Sequence, residues 1–425
     1  MKYSLGFLLV LATFPPCAAQ VNWVTPDHVY ADNVKSVLLV PGGDPLKYPI
    51  ISLNGNQSAE LSFDDLDGDV KNYYYTLQLC NADWTPSDLT QLDYLTGFAN
   101  NKLENYRFSN GTLQHYTHYT LDIPNSSCQP KLSGNYLVKI FLNDDTSQLV
   151  LTRRLLVVDN KAMITGSIQQ PINPDRFQTG QKVNFNIRLP GMDLSSVQDE
   201  VKVVILQDYR WDNAIAGIQP TFINGSELDY NTEQDCVFPA MKEWRLLDLR
   251  SLDLNTEHVQ HVVHLKDSTQ VYVYPDPSRQ TVAYQPRADL DGRWIPELLE
   301  SGYDPTYEGD YALVHFTFPA REPYGSSGLY LFGELTNYEC SDANRMIYNP
   351  DKQAYEGSLY LKEGYYNYVY GLIDPGSDSL DTRYTEGNWW ETENYYTILV
   401  YYRSPGGRYD QLIGAVNLNS AVNRN

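Results

Sequence analysis

Asp65, Asp67 and Asp69 alternate through one acidic turn in the manner of oxygen ligands in a calcium loop, and such turns do bind hard cations. Val70 stands where an EF-hand needs glycine and Thr76 where it needs a bidentate glutamate, so the spacing favours a solvated hairpin turn over a metal site. Asp289, Asp291 and Gly292 read the same way, with the glycine permitting the turn. His258, His261 and His264 form the one histidine cluster, and imidazoles are common zinc ligands. On a strand His261 faces away from the other two, and His258 and His264 stand about 20 Å apart at ~3.3 Å per residue, too far to share an ion. No metal and no cofactor is expected from these groups.

Catalytic patterns are equally thin. There is no Gly-x-Ser-x-Gly elbow, His-Glu-x-x-His motif or phosphate-binding Gly-Lys-Ser/Thr loop. With 53 acidic residues a glycosidase-like carboxylate pair could always be nominated, so nominating one carries no information. The expectation is a protein that is not an enzyme.

The elements that would position these groups are strands. Leu61 and Phe63 alternate with Ser62, and Tyr73, Tyr75, Leu77 and Leu79 alternate with Asn72, Tyr74, Thr76 and Gln78, the period of a half-buried sheet. Similar runs recur at 116–123, 136–142, 149–158, 183–189, 201–206, 271–274, 313–318, 329–332 and 365–370, most of them bounded by Gly, Pro, Asn or Asp. The 35 tyrosines suit half-buried sheet faces, where the ring packs and the hydroxyl stays wet. The fold class expected is all-β, built of tandem immunoglobulin-like or early-set β-sandwich domains.

Breaks near Val158–Asn160 and between Pro275 and Pro305 divide the chain in series. The expected partition is a signal peptide at 1–19, an N-terminal sandwich at 20–159, a middle sandwich at 160–290 and an early-set-like sandwich at 291–425. The signal rests on Lys2, the apolar run Leu5 to Phe14 and the small residues before Gln20. Cys17 offers a lipoprotein alternative, against which Pro15 and Pro16 occupy positions where a lipobox wants aliphatic and small residues. No later segment is apolar enough to span a bilayer. A net charge of −22 disfavours nucleic acid and anionic lipid as partners. Cys80, Cys128, Cys236 and Cys340 allow three pairings, between which the sequence does not choose, and their unequal spacing excludes a zinc ribbon.

Aromatic anchors often dominate interfaces, and Trp84, Trp389 and Trp390 are the candidates here for a partner surface, with core packing as the competing reading. The same choice applies to Trp211 beside Arg210. Arg153 and Arg154 point to opposite sides of a strand, so at least one is expected at the surface.

The ordered segments LSFDDLDGDVKNYYYTLQLCNADWTPSDL, HYTHYTLDIPN, SGNYLVKIF, LTRRLLVV, VKVVILQDYRWDNAI and YYTILVYYRSPGGRYDQLIG resemble the plug protein family of the bacterial type IX secretion system. They span almost the whole chain after the signal. The resemblance implies a non-catalytic periplasmic protein, monomeric when free and associated with the inner face of the outer membrane. It would dock on the periplasmic opening of a large translocon barrel and seal it when no substrate shuttle is engaged. A second resemblance, of GLYLFGELTNY and GSLYLKEGYYNYVYGLID to glycogen-binding early-set sandwiches, implies the alternative of a periplasmic glycan-binding protein. Those modules usually place tryptophan where this chain has Tyr338, so the fold carries over and the sugar platform does not.

Overall fold

Alternating strands close into three β-sandwich modules, and the way the modules share strands sets the geometry of everything between them. The structure, a computed structural model, describes residues 27–192, 194–377 and 379–424; the signal segment and Cys17 lie outside the described residues. The class is all-β.

In the N-terminal module the sheet of Leu149–Val158, Gly134–Leu142 and Tyr73–Cys80 faces the sheet of Val34–Pro41, Ala59–Asp65 and Thr117–Ile123. Leu61 and Phe63 meet Tyr73, Tyr75, Leu77 and Leu79 in one core, each almost fully excluded from water. Burying such side chains contributes about 1.5–3 kcal/mol apiece.

The strand Val34–Pro41 departs from simple alternation, since its VLLV run is apolar on both faces. Val37 and Leu39 enter the N-terminal core, whereas Leu38 and Val40 enter the core of the third module. One strand therefore belongs to two interiors.

The serial partition does not describe the strand pairing, and the boundaries at 290 and 291 are corrected by it. Val201–Gln207 pairs antiparallel with Tyr395–Tyr402, from Val201 opposite Tyr402 to Gln207 opposite Tyr396, and Gln411–Asn419 extends that sheet. Ile398, Val400 and Ile413 then share a core with Val183, Ile187 and Val203. The strands from Arg245–Asp248 to Thr269–Val273 join the third module instead, in one sheet path with Tyr311–Pro319 and Tyr365–Ile373. Phe316 on Tyr368 and Phe318 on Tyr370 bring that path face to face with itself. The third module is thus an insertion between two strands of the middle one. Val201–Gln207, rich in β-branched residues and buried along most of its length, needs partners on both edges, and the Tyr395–Tyr402 strand supplies one of them.

Charged side chains lock the first and third modules together. Asp64, fully buried on Ala59–Asp65, accepts from His118 Nδ1 at 2.5 Å, Lys362 Nζ at 2.8 Å and the Tyr311 hydroxyl at 2.6 Å. Burial raises the Asp64 pKa, but Lys362 and His118 outweigh it and hold the carboxyl below its ordinary range. Lys362 also sits 4.2 Å over the Tyr116 ring. Removing one partner of such a pair strands the other in a dry site. Asp64→Asn is expected to cost about 3–5 kcal/mol in urea unfolding, and the double variant Asp64→Asn/Lys362→Met to recover most of it.

Candidate functional site

All three modules meet at a cavity of about 170 Å³. Its walls come from turns whose backbone is left-handed at residues that seldom adopt that form. Asp208 and Tyr209, at φ 51° and 57°, make the two-residue turn of a hairpin between Gln207 and Arg210. Asn337 and Tyr338 follow a single 3-10 turn at φ 56° and 54°. Gly292, at φ +82°, lies so close to the Trp244 ring that a Cβ would stand 2.6 Å from it, which explains the glycine and aims Arg293 inward. Strain of this kind persists only where packing enforces it.

A ladder of rings and guanidinium groups runs through the junction. Arg293 lies 4.5 Å over the Tyr48 ring, Tyr48 stacks on Tyr209 at 4.5 Å, and Tyr209 meets Trp211 edge-on at 6.1 Å. Trp211 in turn meets Trp84 at 5.1 Å, and Arg154 covers both indoles, at 5.1 Å from Trp84 and 4.7 Å from Trp211. Cation–π contacts of this type are worth about 0.5–2 kcal/mol each. Neither arginine of the Arg153–Arg154 pair is at the surface: Arg153 is 7% exposed and the Arg154 side chain 11%. The expectation of a surface charge there fails because the neighbouring modules cover the outer face of the strand.

Trp84, with a positive φ of 66°, is half-buried and takes part in the contact between the first and middle modules. Trp389 and Trp390 lie elsewhere, half-buried. Trp389 stacks on Tyr284 at 5.9 Å, and Arg424 lies 4.7 Å over Trp390. Their backbone N–H groups donate to the carbonyls of Met241 and Gln178, which pins the segment that carries the chain back from the third module.

The other nominated clusters are resolved by their neighbours. Asp65, Asp67 and Asp69 converge on the Lys71 ammonium at 2.7, 2.6 and 3.3 Å, so a cation of the chain's own sits among them. Asp65 is fully buried, not solvated. His258 Nε2 bonds Asp276 at 3.0 Å, His261 stacks on Tyr272 at 4.4 Å, and His264 faces Asp253 at 3.6 Å, so the three serve different contacts. All four described cysteines are free thiols. Tyr338 packs against Phe332 and Trp244 with its hydroxyl buried, which leaves no open face for sugar stacking.

Asp291 also departs from the solvated turn expected for it. It is 9% exposed and, with Asp289 and Glu393, lines a second cavity of about 670 Å³ beside the first. Burial first, then repulsion from Asp208 and Asp289, holds Asp291 well above the carboxylate range. Burial also raises Asp208, whose Oδ1 accepts from Tyr395 N at 2.9 Å. Asp289 is pushed up to about 6, and Glu334 and Glu243 to about 7, again by burial foremost. These carboxyls keep their protons in the folded chain after the unfolded chain has lost them. The stability this represents is fully present only below about pH 4, where the unfolded chain's carboxyls are also protonated, and is lost as pH rises from there through the folded values, at up to about 1.4 kcal/mol per unit for each group. Thermal midpoints are expected to fall between about pH 5 and pH 8, and Asp208→Asn or Glu334→Gln to flatten that slope. An unchanged slope in both variants would refute the assignment.

Residues 34–159 match the type 9 secretion system plug protein 1st domain. The structure is similar to the crystal structure of a hypothetical protein from Parabacteroides merdae, with 34% sequence identity, a TM-score of 0.89, and coverage of 92% of this chain and 98% of that chain. No curated protein matches. The matched domain coincides with the N-terminal sandwich, and the likeness to the P. merdae protein extends across the modules that follow. The N-terminal sandwich of this chain thus matches the first domain of the type 9 secretion system plug protein, and the chain resembles that family.

Proposed function

We propose that this protein is a non-catalytic plug that docks on the periplasmic opening of the type IX secretion translocon and seals it when no substrate shuttle is engaged. The family resemblance supplies the secretion context. The observation that carries the mechanical part is the joining of three sandwiches through shared interiors: Val34–Pro41 serves two cores, and the third module is held at both ends by the middle one. A barrel wide enough for folded cargo leaves an aqueous lumen, and covering it calls for a body that does not flex at domain linkers. Ordinary tandem domains move relative to one another. This chain removes that freedom by construction.

Docking requires an anchor surface, and Trp84, Trp389 and Trp390 are all half-buried, each with some solvent-facing area. Of these, Trp389 and Trp390 are adjacent on one segment, residues 384–394, and that segment is the anchor.

The test is recovery of the tagged protein from gently solubilised envelopes, with partners identified by mass spectrometry. A large outer-membrane barrel should copurify, and more of it in cells lacking the shuttle. Trp389→Ala/Trp390→Ala should lower that recovery tenfold or more while leaving the thermal midpoint within a few degrees, as truncation of interface anchors of about 2 kcal/mol does. Absence of any barrel under several mild detergents would end the plug reading.

A further inference from the structure

The three-module cavity carries an excess of hydrogen-bond donors with nothing to donate to. Arg293, 7% exposed, has no partner for Nε or Nη1; Asp291 stands at 3.9 Å from it, and Glu334 acts on it through the same cavity. Tyr48, 8% exposed, has a buried hydroxyl without a partner, as do Tyr209 and Tyr338, and the Trp211 Nε1–H is likewise unmatched. Every one of these residues lines the cavity. The tyrosine hydroxyls can accept as well as donate, but the unmatched nitrogens that line the cavity, on Arg293, Arg154 and Trp211, are donors only. Leaving a buried donor unpaired costs about 1–3 kcal/mol, so a group that supplies acceptors would be held strongly there.

The shape narrows the chemistry. At about 170 Å³ the cavity is close to the ~150 Å³ that accommodates a benzene ring and below the ~300 Å³ of ordinary ligand clefts. Its walls are the flat faces of Tyr48, Tyr209 and Trp211 with Val37 and Leu39. The mouth is marked by Lys47, whose side chain is 58% exposed. Of the four acidic residues on the wall, Asp27, Asp212 and Glu339 are already engaged by Arg154, Arg210 and His28, and Glu334 accepts from Trp294 N.

We propose that this cavity is a binding site for a small aromatic carboxylate, its ring against the apolar wall of Val37 and Leu39 and the rim of the aromatic ladder, and its carboxylate on the free N–H groups of Arg293 and the neighbouring tyrosine hydroxyls. Two sources share that chemistry: a free aromatic acid, and the C-terminal aromatic residue of a peptide. Because the walls come from all three modules, the bound acid stiffens their junction. The raised pKa of Glu334 fits this picture, since a protonated carboxyl adds a donor and does not repel the ligand.

Isothermal titration calorimetry on the purified protein tests the assignment with benzoate, N-acetylphenylalanine and the neutral N-acetylphenylalaninamide. One-to-one binding of a carboxylate, with the amide at least tenfold weaker, is the expected result. Tighter benzoate identifies the free acid as the source, and tighter N-acetylphenylalanine a peptide terminus. Arg293→Gln should weaken binding tenfold or more. Tyr338→Phe removes a buried hydroxyl with no partner in the unliganded protein, so it should leave the thermal midpoint unchanged or raised and still weaken binding severalfold, which keeps the test decisive if Arg293→Gln fails to fold. Equal binding of acid and amide, binding indifferent to both variants, or no binding at millimolar concentration would overturn the proposal and leave a cavity that holds water only.

Discussion

A strand with two interiors sets the terms for the rest of this molecule. Sheets normally bury one face in their own core and offer the other to water or to a polar interface. Val34–Pro41 instead presents Val37 and Leu39 to one sandwich and Leu38 and Val40 to another, so neither core can be completed without the other module in place. A one-residue slip in its register would exchange the two sets of side chains. The bulge between Lys35 and Leu38, with Ser36 at φ 53°, holds the register at its start.

Charge follows from that constraint. Once two apolar interiors close on the strand, the polar side chains at the edge of the contact are trapped and must find partners among themselves. Asp64, Lys362, His118 and Tyr311 do so completely. Between the first and middle modules Asp410 takes the same role, accepting from Ala82 N and Lys202 Nζ at 3.0 Å and Arg403 Nε at 2.8 Å. At the point where all three modules meet, satisfaction stops, and the unmatched nitrogens there, on Arg293, Arg154 and Trp211, are donors. Native proteins leave few such atoms, and a concentration of them in one place calls for a cause other than packing.

The sandwich class was legible because two-residue alternation is local: Tyr73, Tyr75, Leu77 and Leu79 declare a buried face without reference to the rest of the chain. The N-terminal module was legible for the same reason, as its strands pair within one stretch. The insertion was not. YYTILVYY alternates in the same manner whether it closes the nearest sandwich or one nearly 200 residues back, and only the pairing of Val201 with Tyr402 distinguishes the two. Lys71 lies two residues beyond the acidic turn it neutralises, a distance at which the capture of a side chain depends on the path of the loop. Arg153 and Arg154 misled because alternation assigns a strand two faces but does not say that a second module covers the outer one. The clustering of Tyr48, Tyr209, Arg293 and Tyr338 had no sequence signal, since each comes from a separate connecting segment, and the left-handed backbone at or beside Tyr209, Arg293 and Tyr338 is imposed by tertiary packing.

The insertion also orders the biogenesis of the protein. The strands of the N-terminal sandwich can pair as soon as they emerge, with the outer face of Val34–Pro41 waiting for the third module, but the Val201–Gln207 strand stays an open edge until the Tyr395–Asn419 hairpin has been made and delivered. Unpaired hydrophobic edges are templates for aggregation, and contacts of such long sequence separation form slowly. A chain interrupted anywhere in the third module would hold its middle module unfinished and sticky, so completeness is verified by the fold itself: only a fully delivered polypeptide can hide that edge.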